Sequence, residues 1–176
     1  ASLILGMGLP VTASYVVLSV LSAPALLGLM LSPEMAALAN AGIQIPEVAM
    51  YLLSAHLIIF WLSQDSNLTP PVCLAAFAAA AIAKTPPMET GLVSWKIGKG
   101  LYIIPLLFAF TPLVTGDWYE KFEVFFFALI GILSFSIVME GFWDKKTLLI
   151  ERIMFAIATV LLLCPDSAFE IETYFG

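Results

Sequence analysis

Charge is what this sequence has least of. Asp, Glu, Lys and Arg make up 11% of its 176 residues, against about 25% in soluble domains. Histidine occurs once and cysteine twice. Cys73 and Cys164 are far apart, each in or beside an apolar run. They offer neither metal-ligand spacing nor a disulfide framework, and they read as small buried hydrophobes. With one histidine and no motif joining it to a cysteine, a nucleophile–base pair is missing. The expectation is a protein that is not an enzyme and needs no cofactor. A net charge of −6 gives no reason to expect nucleic acid as a partner. What remains is 61% hydrophobic with a mean hydropathy of +1.02, the composition of an all-α integral membrane protein embedded in a lipid bilayer.

The apolar residues fall into runs near the roughly 20 residues a helical span requires. Val11–Leu31 crosses or deeply enters the bilayer and contains Pro24. Ser32–Pro46 reads as a loop with a short helix. Val48–Leu62 and Val72–Ala83 read as two halves of one discontinuous helix. Lys84–Lys99 is polar and amphipathic, opens on Pro86-Pro87, and is expected along the membrane interface. Gly100–Val114, Phe122–Met139 and Leu148–Leu163 read as further spans.

Between the two halves lies Ser63-Gln64-Asp65-Ser66-Asn67-Leu68-Thr69-Pro70-Pro71. Pro70 and Pro71 donate no N–H and bias the residues before them away from helical angles. The helix is predicted to break here and leave free carbonyls and hydroxyls at membrane depth, where they must face protein, water or an ion. A second interruption, Gly6-Met7-Gly8-Leu9-Pro10-Val11-Thr12-Ala13-Ser14, has the same character. Interrupted helices are where transporters bind substrate and coupling ions. An uncharged Gly/Pro turn suits the tip of a re-entrant hairpin, with Val11–Leu31 as its outgoing arm. A plain span entering from the cytoplasm is the alternative.

Basic residues set the orientation. Lys84, Lys96 and Lys99 share one loop, and Lys145, Lys146 and Arg152 another. Both are expected on the cytoplasmic side, with Lys121 as the exception. Ser32–Glu47, Thr115–Glu120 and the acidic tail Asp166–Gly176 are then external. Trp95, Tyr102, Trp118, Tyr119 and Trp143 fall near expected span ends as an aromatic belt.

A sodium ion favours oxygen ligands. Asp65, Ser66, Asn67 and Thr69 supply side-chain oxygens, and the turn at Gly6, Gly8 and Pro10 adds carbonyls beside the Thr12 and Ser14 hydroxyls. The first half-helix points its negative end at the break. The second points its positive end there and favours an anion. Each residue also has a plainer reading. Asp65 could cap the second half-helix or face a water-filled cavity, although an intramembrane carboxylate is functional by default. Ser66 and Asn67 could be caps. The glycines and the Ala75–Ala81 run could serve close packing. His56 reads as a packing residue rather than a proton relay.

The order Gly6-Met7-Gly8-Leu9-Pro10-Val11-Thr12-Ala13-Ser14-Tyr15, Ala55-His56, Asp65-Ser66-Asn67-Leu68-Thr69-Pro70-Pro71-Val72 and Ala75-Ala76-Phe77-Ala78-Ala79-Ala80 resembles the large membrane subunit of TRAP (tripartite ATP-independent periplasmic) transporters, fused-permease type. The resemblance covers roughly Ala1–Phe110, and Thr111–Gly176 is similar to the extra C-terminal membrane region of some fused members. It implies a C-terminal piece of a longer permease of the bacterial inner membrane, with a discontinuous helix and hairpin in an elevator-type transport domain. It further implies sodium-coupled symport of a small anionic solute, such as an organic acid, brought by a periplasmic substrate-binding protein. A small membrane subunit or its fused equivalent is the other expected partner. Residues 1–116 are then expected to be the C-terminal half of the transport domain, and 117–176 additional membrane helices. The resemblance places Gly6–Ser14 in the second hairpin and Asp65–Pro71 in the adjoining broken helix. The ion-binding set is Gly6, Gly8, Pro10, Thr12, Asp65, Ser66, Asn67 and Thr69, with Ser14, Pro70 and Pro71 toward substrate and no metal beyond sodium. A proton-coupled transporter or a channel built on the same broken helix is the alternative.

Overall fold

A computed structural model of the chain describes residue 4, residues 6–41 and residues 46–163. Expectations for Cys164, the tail Asp166–Gly176 and residues 42–45 lie outside the described residues. Every named element within them is helical. These are α1 (Val11–Met30), α2 (Pro33–Asn40), α3 (Pro46–Asp65), α4 (Leu74–Ala83), α5 (Pro87–Ile97), a 3₁₀ segment (Gly98–Ile103), α6 (Ile104–Phe110), α7 (Trp118–Glu140) and α8 (Leu149–Leu163). The chain divides into two compact units, Ala1–Ala109 and Phe110–Gly176.

In the first unit α1 packs on α3 around Leu18, Ala23 and Ile59, with Tyr15 and Leu26 against them. Tyr15 hydrogen-bonds His56 Nδ1 at 3.1 Å and meets Phe60 edge to face. The expected interruption follows, but α3 runs to Asp65, through Ser63 and Gln64. The reason is range: a proline constrains chiefly the residue before it, so Pro70 acts on Thr69 and leaves Ser63–Asp65 free to stay helical.

The alanine-rich α4 ends at Lys84, whose φ of 54° is left-handed. Pro87 then stands at the start of α5, where a fixed φ and a missing N–H are both tolerated. With three residues between them, α4 and α5 pack on each other. A Cβ on Gly91 would lie 2.5 Å from Cys73 Sγ, 3.6 Å from Phe77 and 3.9 Å from Pro70. The return helix therefore runs back beside the break.

The expected interfacial stretch Lys84–Lys99 takes a different form. Its residues from Pro87 onward belong to a continuous helical rod, Pro87–Phe110, one of four helices long and apolar enough to cross a membrane. The other three are Val11–Met30, Pro46–Asp65 and Trp118–Glu140. Gly98 and Gly100 do not stop the rod but tighten it into a 3₁₀ segment, the form a weakened helix takes over a short run. Consequently Tyr102 sits within the rod instead of at a span end.

In the second unit α7 and α8 pack together, and a Cβ on Gly131 would fall 2.7 Å from Leu163. The Glu120 carboxylate accepts the Asp117 N–H at 3.0 Å at the start of α7. Gly141 closes α7 at φ 66°. Arg152 Nε donates to the Val138 carbonyl at 2.6 Å and Nη2 to that of Met139 at 3.3 Å, placing a cation at the negative helix end. Outward faces of both units are apolar, with Leu29 and Ile82 each 85% exposed. Helices in hydrocarbon can present such faces because their backbone groups are satisfied internally.

Gly91→Ala is expected to lower the thermal midpoint of the detergent-purified protein, at a cost of about 1–3 kcal/mol for overpacking. Cys73→Ala in the same chain removes the obstructing sulfur and restores much of that loss. Equal midpoints for Gly91→Ala and wild type would overturn the close packing described.

Candidate functional site at the helix interruption

A helix end leaves four carbonyls without intrahelical partners. In α3 these belong to Leu62, Ser63, Gln64 and Asp65, and all four are taken by the next few residues. Ser66 N donates to Leu62 O at 3.2 Å, Asn67 N to Gln64 O at 3.0 Å and Leu68 N to Asp65 O at 3.1 Å. Ser66 Oγ donates to Ser63 O at 2.6 Å, with Asn67 Nδ2 on the same oxygen at 3.3 Å. Thr69 Oγ1 donates to Asp65 O at 2.6 Å. The expected free carbonyls are therefore paired, because Ser, Asn and Thr cap a helix end as readily as they line a site. Ser66 and Asn67 serve the first half-helix, and the N-cap of α4 is Cys73, with no side-chain cap.

What is left over is acidic. Asp65 is 3% exposed, and its Oδ2 has no hydrogen-bond partner among the described residues. Such an oxygen in a dry interior costs on the order of 1–3 kcal/mol even before charge is counted, and more for the ionised group. Asp65 is among the residues that line a cavity of about 640 Å³. Asn67 and Leu68 line it from the break, Phe60, Trp61 and Gln64 from α3, and Leu74 and Ala75 from the first turn of α4. Pro10 and Val11 close it from the Gly/Pro turn, and Leu101 from the 3₁₀ segment.

The Gly/Pro turn lies against the other side of the break. Leu9 N bonds Gly6 O at 3.3 Å, and Gly8, third in this turn, has φ 80°, a value that favours glycine there. A Cβ on Gly8 would stand 3.5 Å from Val72, an ordinary contact. Glycine is thus needed at this position for its backbone angle more than for room.

The expected residues divide into those gathered here and those that are not. Asp65, Asn67 and Pro10 border the cavity. Ser66 and Thr69 are buried beside it, with hydroxyl protons given to carbonyls. Gly6 is buried and Gly8 touches the segment after the break. Pro70 and Pro71 are joined by a cis peptide bond, and neither lines the cavity. Ser14 is fully buried in α1 with an unpartnered Oγ. Thr12 is exposed and off the cavity wall. His56 is engaged with Tyr15.

Two aromatic contacts escaped the sequence reading. Trp61 Nε1 donates to Leu101 O at 3.1 Å, and the Tyr102 hydroxyl hydrogen-bonds Thr69 Oγ1. Tyr102 reads as a belt residue only if a span begins at Gly100. The Gly98-Lys99-Gly100 spacing was the available sign of an irregular segment there.

A multi-pass helical chain with one helix interrupted around a buried carboxylate defines a membrane protein of the transporter class. The family model for the tripartite ATP-independent periplasmic transporter, DctM component, matches residues 1–115, and the chain belongs to that family of transport permeases. No curated protein and no solved structure matches it.

Gly8→Ala is expected to destabilise the purified protein by about 1–2 kcal/mol, the cost of a left-handed residue bearing a Cβ. Because the cause is strain, the effects of Gly8→Ala and Val72→Ala should add. A Val72→Ala background that removed the penalty would point to a clash instead.

Proposed function

We propose that this chain contributes to a sodium-coupled symporter for a small organic anion, with the ion held between the helix interruption and the Gly6–Pro10 turn. One observation carries the reading: Asp65 is buried at the break with a carboxylate oxygen that has no partner among the described residues, and the residue lines a cavity. A cation offsets that cost directly. Sodium suits the surrounding donors, which are hard oxygens. Ser66 and Thr69 have committed their protons to carbonyls, so their lone pairs are what they can offer an ion. The uncapped first turn of α4, at Leu74 and Ala75 on the same cavity, favours the anionic substrate. Gly6, Gly8 and Pro10 offer turn carbonyls and Asn67 a side-chain oxygen, whereas Thr12, Ser14, Pro70 and Pro71 stand off the cavity wall and are left out of the proposed set.

Family membership supports the setting of the permease, and the Lys/Arg distribution supports its orientation. The permease works in the bacterial inner membrane with a periplasmic substrate-binding protein and a small membrane subunit or fused equivalent. Residues 1–116 belong to the mobile part of an elevator, and 117–176 are accessory helices with a periplasmic C-terminus. Lys145 and Lys146 then face the cytoplasm. Proton coupling is the competing reading. Against a His56–Asp65 relay stand the engagement of His56 with Tyr15 and a separation along α3 of roughly 13 Å for nine residues.

The test is a titration of the full-length, detergent-purified permease with sodium chloride against potassium chloride at constant ionic strength. Sodium should raise the thermal midpoint, since an ion that binds only the folded state stabilises it by mass action. Asp65→Asn should remove the sodium effect. Thr69→Ala should raise the half-saturating sodium concentration by about tenfold, the equivalent of one lost ligand contact of about 1.4 kcal/mol. Uptake in proteoliposomes that ignores sodium and follows a proton gradient would sink the proposal.

A further inference from the structure

The 3₁₀ segment Gly98–Ile103 returns to the level of the helix interruption and is fastened once to it and once to α3. Trp61 Nε1 of α3 holds the Leu101 carbonyl at 3.1 Å, and the Tyr102 hydroxyl meets Thr69 Oγ1. Beside them, a Cβ on Gly98 would lie 3.8 Å from Leu68. An irregular stretch inside a rod that could cross the membrane is thereby set against an irregular stretch in its neighbour.

Proton counting assigns the direction of the Tyr102 contact. A threonine hydroxyl has one proton and two lone pairs. The Thr69 proton goes to the Asp65 carbonyl at 2.6 Å, so Tyr102 is the donor to Thr69 Oγ1. That leaves Thr69 one lone pair, whose direction is set by the other two hydrogen bonds. The Tyr102 hydroxyl also hydrogen-bonds Trp95; an indole N–H can only donate, so that contact uses a Tyr102 lone pair and leaves its proton for Thr69.

We propose that Tyr102 is a positioning residue for the cation site: by donating to Thr69 Oγ1 it aims the one remaining lone pair of Thr69 at the ion. This rests on the reading of Thr69 as a sodium ligand. It assigns to the 3₁₀ segment a part in the site that neither the Gly/Pro turn nor the interruption supplies. Trp61 acts one step further back, by holding Leu101 and with it the register of Tyr102.

The experiment uses the full-length permease and the same sodium-against-potassium titration of the thermal midpoint. Tyr102→Phe should raise the half-saturating sodium concentration by about two- to tenfold, the range expected for one hydrogen bond, while the midpoint shift at saturating sodium persists. Combined with Thr69→Ala it should add nothing to the effect of Thr69→Ala alone, because Tyr102 acts through that hydroxyl. Thr69→Ser keeps the oxygen and should keep the sensitivity to Tyr102→Phe. Trp61→Phe should raise the half-saturating concentration in the same direction, and it decides the matter if Tyr102→Phe does not yield folded protein. A midpoint lowered equally at every sodium concentration, with unchanged half-saturation, would mean a purely structural tyrosine and overturn the inference. If Thr69→Ala shifts half-saturation and Tyr102→Phe does not, the inference fails and the sodium site stands. If wild-type protein does not respond to sodium, both fall.

Discussion

A helix that stops inside a membrane has to dispose of four carbonyls without help from water, and the arrangement of the first unit follows from how this chain does so. Ser66, Asn67, Leu68 and Thr69 turn back onto the end of α3 and supply donors to Leu62, Ser63, Gln64 and Asp65 in turn. Backbone and side chain share the task, so the helix can end without solvent. The two prolines come only after this closure is complete. Their effect is to keep the chain from resuming as a helix before Leu74.

With the backbone satisfied, the only group at the break left short among those that closed it is the Asp65 carboxylate. This narrows the chemistry considerably. A site built from paired carbonyls, oriented hydroxyls and one carboxylate keeps its shape and concentrates its charge at one point. The α4–α5 pair adds rigidity. Gly91 allows α5 to lie directly on Cys73, and the chain comes back to the break as the 3₁₀ segment, where Trp61 and Tyr102 hold it.

Much of the fold was legible in the sequence for simple reasons. Long apolar runs, their lengths and the positions of Pro, Gly and polar clusters are one-dimensional features, and they located α1, both half-helices, α7 and α8 to within about four residues at each end, and α2 as a short helix without bounds. The errors share a different origin. The break begins at Ser66 rather than Ser63 because side-chain capping acts locally while proline acts on one neighbour. The rod Pro87–Phe110 was missed because Lys96 and Lys99 argued for an interface while the local backbone tolerated a continuous helix. Within the site, Asp65, Asn67 and Pro10 were recognisable from the cost of polar groups in lipid. Tyr102 and Trp61 were not, since an aromatic residue near a supposed span end has a sufficient explanation in the aromatic belt. Their contacts join positions 33 and 40 residues apart, and nothing in a single sequence encodes such a pairing.

The orientation of the hydroxyl protons bears on which ion this geometry suits. A proton carrier needs an acceptor and a donor placed along a line, so that a hydrogen can be handed on. Here Ser63, Ser66 and Thr69 all direct their protons to backbone carbonyls behind them, and carbonyls do not pass protons further. With their protons so committed, these hydroxyls can act toward any further group only as acceptors. A chain of fixed acceptors is a poor wire for protons and a good cradle for a metal cation, whose ligands must all offer lone pairs at once. The same counting makes the Tyr102 hydroxyl the donor to Thr69 Oγ1 and leaves that oxygen one lone pair.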